Sequence, residues 1–107
     1  MANSFKNAKA DLTTTDATTL YTVPSATTTI VKSILVSEDS GNADTITVTL
    51  TNASSAVFSL FKVKAVAANT TVELLTAPLV VTESEIIKVT AATANRLHVV
   101  ASVLEVS

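Results

Sequence analysis

Thr45-Ile46-Thr47-Val48-Thr49-Leu50-Thr51 alternates without a break between a hydroxyl and an aliphatic side chain. In extended backbone, successive side chains point to opposite faces. Ile46, Val48 and Leu50 therefore share one face, and the four threonines share the other. β-branched residues lose rotamer freedom on a helix and pack well on a pleated surface. The stretch predicts a half-buried strand whose outer face is wetted by hydroxyls instead of charge.

The rest of the chain is built from the same letters. Threonine occurs 19 times, valine 15 and isoleucine five, so 39 of 107 residues are β-branched. Working outward, residues 18–23 read as a strand ended by Pro24, which cannot donate to a central ladder. Residues 28–37 are apolar on both faces from Ile30 to Val36, as in a central strand or one covered by another subunit. Asp39-Ser40-Gly41-Asn42 holds the only glycine and forms a turn into the 45–51 strand. In residues 56–66, Phe58 and Leu60 fall in one phase and Phe61 and Val63 in the other, which predicts a β-bulge or a two-sided strand. Residues 70–75 and 79–82 flank Pro78, and 85–90 and 96–106 follow, separated by a loop or single helical turn over 91–95. Residues 13–29 hold nine threonines, but Leu20, Tyr21 and Val23 interrupt them at strand spacing, against a disordered stalk.

About eight short strands with no helix-length periodic segment predict an all-β fold, an antiparallel β-sandwich of jelly-roll or immunoglobulin-like type. The expected domain spans residues 12–107. Residues 1–11, polar and small apart from Phe5, are expected to form an extended N-terminal arm outside the core.

Composition excludes several function classes. No cysteine means no disulfide framework, thiolate nucleophile or zinc–thiolate site, and one glycine cannot build a phosphate-binding loop. A formal charge of −2 and four aromatic residues offer nothing to nucleic acid or anionic lipid. The longest apolar run, residues 65–68, is far too short for a membrane span, and residues 1–12 lack the apolar run of a signal peptide.

The chemical candidates are few. His98, the only imidazole, has Ser102 four residues on, roughly 13 Å away along a strand and out of hydrogen-bond reach. Glu38, Asp39 and Asp44 surround a turn, but their spacing departs from a calcium loop and reads as turn chemistry. Glu83 and Glu85 read as a solvated turn, and Lys62 and Lys64 as guards of an edge strand. The expectation is a protein that is not an enzyme and has no cofactor and no metal site.

A surface argument remains. Charged residues make up 15 % of the chain, and the mean hydropathy is +0.49. The 96–106 strand carries Leu97, Val99, Ala101 and Val103 on one face and Val100, Leu104 and Val106 on the other. A two-layer sandwich buries only one face of each sheet. Ile30, Ile34, Val100 and Leu104 are therefore expected at a contact with another subunit or with the arm.

Thr18-Thr19-Leu20-Tyr21-Thr22-Val23-Pro24, Thr29-Ile30-Val31-Lys32-Ser33-Ile34, Pro78-Leu79-Val80-Val81, Ile86-Ile87-Lys88-Val89 and Leu97-His98-Val99-Val100 together resemble small β-sandwich virion proteins of tailed bacteriophages. The resemblance spans residues 11–106, with Ser25-Ala26 where that family usually has a glycine. It implies a capsid decoration (cement) protein, or else a neck, tail or fibre component, for which a receptor- or glycan-binding module is the alternative reading. The expected partners are other copies of the chain, with a trimer favoured, and the major capsid protein. The expected location is the virion exterior, after synthesis in the host cytoplasm. On this reading Phe5 anchors the arm, Lys6 and Lys9 meet acidic capsid surface, and removal of residues 2–10 leaves the domain folded.

Overall fold

Every segment read as a strand forms one, and a ninth strand precedes them. The computed structural model describes residues 3–107. Its elements are β1 (Asn3–Asp11), β2 (Thr18–Thr22), β3 (Thr28–Glu38), β4 (Asp44–Thr51), β5 (Val57–Val66), β6 (Thr71–Glu73), β7 (Leu79–Val81), β8 (Ile86–Ala91) and β9 (Leu97–Val106). One sheet has the order β1-β9-β3-β6, with β7 continuing beside β3, and the other has the order β2-β8-β4-β5. All pairings are antiparallel.

β6 and β7 pair with successive parts of β3 and act as one strand interrupted before Pro78. Counted so, the chain is a ribbon folded at the β4–β5 hairpin, with β3 against β6 and β7, β2 against β8, and β1 against β9. The ribbon then wraps into two sheets. That is the jelly-roll arrangement and not the immunoglobulin one, whose sheets are built from different strand sets.

Residues 3–11 therefore belong to the sandwich. β1 is hydrogen-bonded along β9 from Asn3 to Asp11, and Ala10 lies in the core. The expected arm outside the core is corrected to an edge strand, so removing it would expose β9 and open the core. Residues 1 and 2 of that expected arm lie outside the described residues.

The core is aliphatic. Leu12, Ile34, Ile46, Ile87 and Leu97 are its largest wholly buried apolar side chains, packed with Val31, Val36, Val48, Val89 and Val99. As the alternation requires, Ile46 and Val48 point in, while Thr45, Thr47, Thr49 and Thr51 are half-buried on the outer face. The chain exposes 5658 Å², close to the roughly 5,600 Å² expected of a monomer of this mass.

Two irregularities set which side chains face in. In β5 the register slips twice against β4, at the phase change read from the sequence. There Val63 takes φ 52° and donates its N–H to Thr47 Oγ1 at 3.1 Å. In β3 the register against β9 shifts between Val31 and Ser33. Thr29 and Val31 face in before the shift; Ile34, Val36 and Glu38 face in after it. Ile34, expected beside Ile30 on a contact surface, is instead wholly buried. The extra residue reverses the phase between them.

The exchange of faces is testable by stability. Ile34→Ala should cost about 2–5 kcal/mol, whereas Ile30→Ala should cost about 1 kcal/mol or less, in urea unfolding of the two variants. Similar losses would contradict the bulge.

Candidate functional site

The two sheets present different outer faces. On the β2-β8-β4-β5 sheet the registered rows are Thr19–Lys88–Thr49–Ser59, Thr22–Ile86–Thr51–Val57 and Thr90–Thr47. Hydroxyls dominate there, and the exposed apolar side chains Val57, Phe58 and Val63 are confined to the edge strand β5. On the other sheet, antiparallel register aligns Phe5, Leu104, Ile30 and Val80 into one row across β1, β9, β3 and β7. A second row runs Lys9–Val100–Leu35–Glu73 across β1, β9, β3 and β6. Asn7, Ser102 and Ser33 form a polar row between them.

These rows are open to solvent. Phe5 is 74 % exposed, Val80 57 %, Leu35 39 % and Val100 37 %. Leu104 and Ile30 are half-buried between their neighbours. β1 extends this sheet at its edge and does not fold over the face, so no described residue of the chain covers the rows. Lys32, at the β3 bulge, reaches back over the face and places Nζ 5.8 Å from the Phe5 ring centroid, a cation–π approach.

Among the sequence-predicted contact residues, this face brings together Phe5, Lys9, Ile30, Val100 and Leu104. Ile34 lies beneath it. Lys6 points the other way, into the sandwich rim, where Nζ lies 2.9 Å from Glu105 Oε1. Its charge is therefore already paired. The sequence reading missed Leu35, Val80 and Glu73, because a row depends on register between distant strands.

Glu105 is the centre of a polar plug between the sheets. The Tyr21 hydroxyl on β2 donates to Glu105 Oε2 at 2.6 Å and lies 2.8 Å from Thr29 Oγ1. The Tyr21 hydrogen bond and then Lys6 hold the Glu105 carboxyl below its ordinary range. Burial, with the hydrogen bond to Glu105, pushes the Tyr21 hydroxyl up to about 12.

At the other end, Glu38 organises the 38–42 turn. Its carboxylate accepts from Ser40 N–H and hydroxyl, and from the N–H groups of Gly41, Asn42 and Asn69. Burial alone would raise its pKa; these donors reverse that and bring it to about 2. The lone pairs a cation would need are thus occupied by the protein. Glu73 is exposed and less completely bonded: desolvation opposes its ionisation, but the Ser33 hydroxyl and the N–H groups of Ile34 and Leu75 lower its pKa.

The remaining candidates hold turns or edges. Glu83 accepts from Ala26 N–H, and Glu85 from Thr82 N–H at 2.7 Å. Lys62 and Lys64 stand exposed on β5, an edge strand. His98 lies on the outer face with Nε2 3.2 Å from Asp11 and Nδ1 3.7 Å from Asp39. A hollow beside Ala65, Ala67 and Ala92 contains Asp44 and Arg96. Asp44 accepts from Thr93 N–H, and Arg96 donates to the Ala43 carbonyl. Among the described residues, no group of three His, Cys, Asp or Glu is arranged to hold a metal, and no helix is long and apolar enough to cross a membrane.

No protein-family model matches the chain, and no curated protein matches its sequence.

The carboxylate and phenol predict both limbs of the pH–stability profile. Glu38 has an ordinary value of 4.5 and a folded value of about 2. Between these the unfolded chain binds more protons, so stability present above 4.5 should fall as pH drops toward 2. Tyr21 runs the opposite way: its contribution is full below 10.0 and lost as pH rises toward about 12. Urea midpoints against pH should lose the alkaline limb in Tyr21→Phe and flatten on the acid limb in Glu38→Gln.

Proposed function

We propose that this chain is a non-enzymatic structural protein of a virion, of the capsid decoration type, which attaches through the outer face of the β1-β9-β3 sheet. The observation that carries the reading is the pair of exposed rows, Phe5–Leu104–Ile30–Val80 and Lys9–Val100–Leu35–Glu73. An uncovered sheet face with large apolar side chains marks a contact surface. The sequence resemblance over residues 11–106 supports the virion assignment. The jelly roll supports it as an analogy of fold, because viral capsid domains commonly use this architecture.

The mechanism is non-covalent clamping. Contact with the capsid removes the apolar rows from water, and the free energy released favours the bound, intact shell over its separated parts. The ends of the sandwich are closed by satisfied carboxylates, which hold the face as a rigid plate. A rigid surface loses little conformational freedom on docking.

Quantitative mass spectrometry of purified particles of the encoding phage should find the chain in lattice-scale copy number. A handful of copies would indicate the neck, tail or fibre instead, and absence would overturn the assignment. Leu104→Ser with Val100→Ser should release the protein from particles and leave its folding intact. Unchanged attachment would exclude this face.

A further inference from the structure

We infer that the outer face of the β1-β9-β3 sheet docks onto the same face of a second copy, about a twofold axis that runs parallel to the strands between β9 and β3. The inference rests on the reading of this face as a contact surface and names what covers it in the free protein, a second copy that must leave before the face meets the capsid. The argument is self-complementarity, which a twofold interface requires of one patch.

The Lys9–Val100–Leu35–Glu73 row has a cation at one end, a carboxylate at the other and two aliphatic side chains between. Rotation about the proposed axis reverses the row. Lys9 of one copy then meets Glu73 of the other, and Val100 meets Leu35. The same rotation sets Phe5 over Val80 and Leu104 over Ile30, an aromatic against a small β-branched residue. In the intervening row, Ser102 faces Ser33. Both apolar rows are matched by one operation.

The perpendicular twofold axis does worse. It lays Val80 on Glu73, so that carboxylate loses water to an apolar side chain and gains no cation. The face as a whole carries Lys9 and Lys32 against Asp11 and Glu73, so two copies do not repel. Glu73 has its hydrogen bonds within the chain but, among the described residues, no cation paired with it. Lys32 lies over Phe5 and must swing toward the polar row when the second sheet arrives.

The area suffices. Four strands at sheet spacing and nine residues of strand length give a face of roughly 19 by 29 Å, on the order of 550 Å². Two copies bury about 1,100 Å² together, just above the threshold of about 1,000 Å² for a specific interface. Aligned packing of two sheets is the ordinary geometry of a sandwich. The rim pairs set register more than affinity, so the dimer is weak and reversible.

Sedimentation equilibrium of the full chain from micromolar to millimolar concentration should give a monomer–dimer equilibrium. Lys9→Glu should raise its dissociation constant about tenfold or more by placing like charges at both rims. The chain has no cysteine, so Phe5→Cys with Val80→Cys offers a clean geometric test. Three strand spacings, roughly 14 Å, separate these positions within one copy. A bismaleimide that reaches about 10 Å, the spacing of two packed sheets, bridges facing copies but not this distance within one, so it should give a covalent dimer from the double variant and little from either single variant. A chain monomeric at millimolar concentration would overturn the inference, as would a trimer or a dimer that does not cross-link. If such a monomer still attached to particles through Leu104 and Val100, the docking face would stand and only its self-pairing would fall.

Discussion

The arrangement of this sandwich depends on one hydrogen-bonded irregularity, the bulge at Lys32-Ser33 held by Glu73. Without the extra residue, β3 would carry its alternation straight through, and Ile34 and Val36 would leave the core. The bulge frees backbone groups where β6 gives way to β7, and these need partners. The Glu73 carboxylate supplies them, taking the Ser33 hydroxyl and the Ile34 N–H. A carboxylate with these donors stays ionised. Irregular backbone, the break before Pro78 and the acidic residue form one device. It also leaves Ile30 and Leu35 on the outer face.

That device explains why the two outer faces differ. The β4 strand is regular, and its alternation puts threonine outside, where methyls pack laterally and hydroxyls meet water. β3 and β9 are apolar on both sides, so the sheet between them cannot be wetted in that way. The polar groups that do enter the interior are gathered at the ends, Tyr21, Thr29 and Glu105 at one and Glu38 at the other. The middle stays purely aliphatic. A purely aliphatic middle with satisfied ends gives a slab with a hydroxyl-rich side, whose exposed large apolar side chains lie along its β5 edge, and a side crossed by apolar rows.

Much of this was legible in the letters. Unbroken alternation in residues 45–51 identified both the strand and its threonine face, and two-sided apolar character marked β3 and β9 as unusual. The phase slip between Phe58 and Val63 pointed to the irregular edge of β5. What escaped reading has a common cause. Bulges and left-handed positions are often announced by glycine, but here Ala26, Ser55, Val63, Asn69, Ser84 and Asn95 take positive φ without it. The β3 bulge falls at a Lys-Ser pair that looks like any polar interruption, so Ile34 was assigned to the wrong face. β1 offered few apolar residues because an edge strand buries little. Its membership rests on backbone pairing with a strand some ninety residues away. The rows on the outer face need the same distant register, which no single segment contains.

β9 lies between β1 and β3, so the sheet that bears the oily face is completed by a strand at residues 97–106. During translation, β1 and β3 emerge long before it and have no neighbour to bridge them. Sheet closure must therefore wait until β9 has been made and has paired with both. The paired rows do not exist as a surface before then, because each depends on a β9 side chain at its centre. A chain that has not yet placed β9 thus has no such face, and the order of the strands alone makes this surface the last part of the sheet to form.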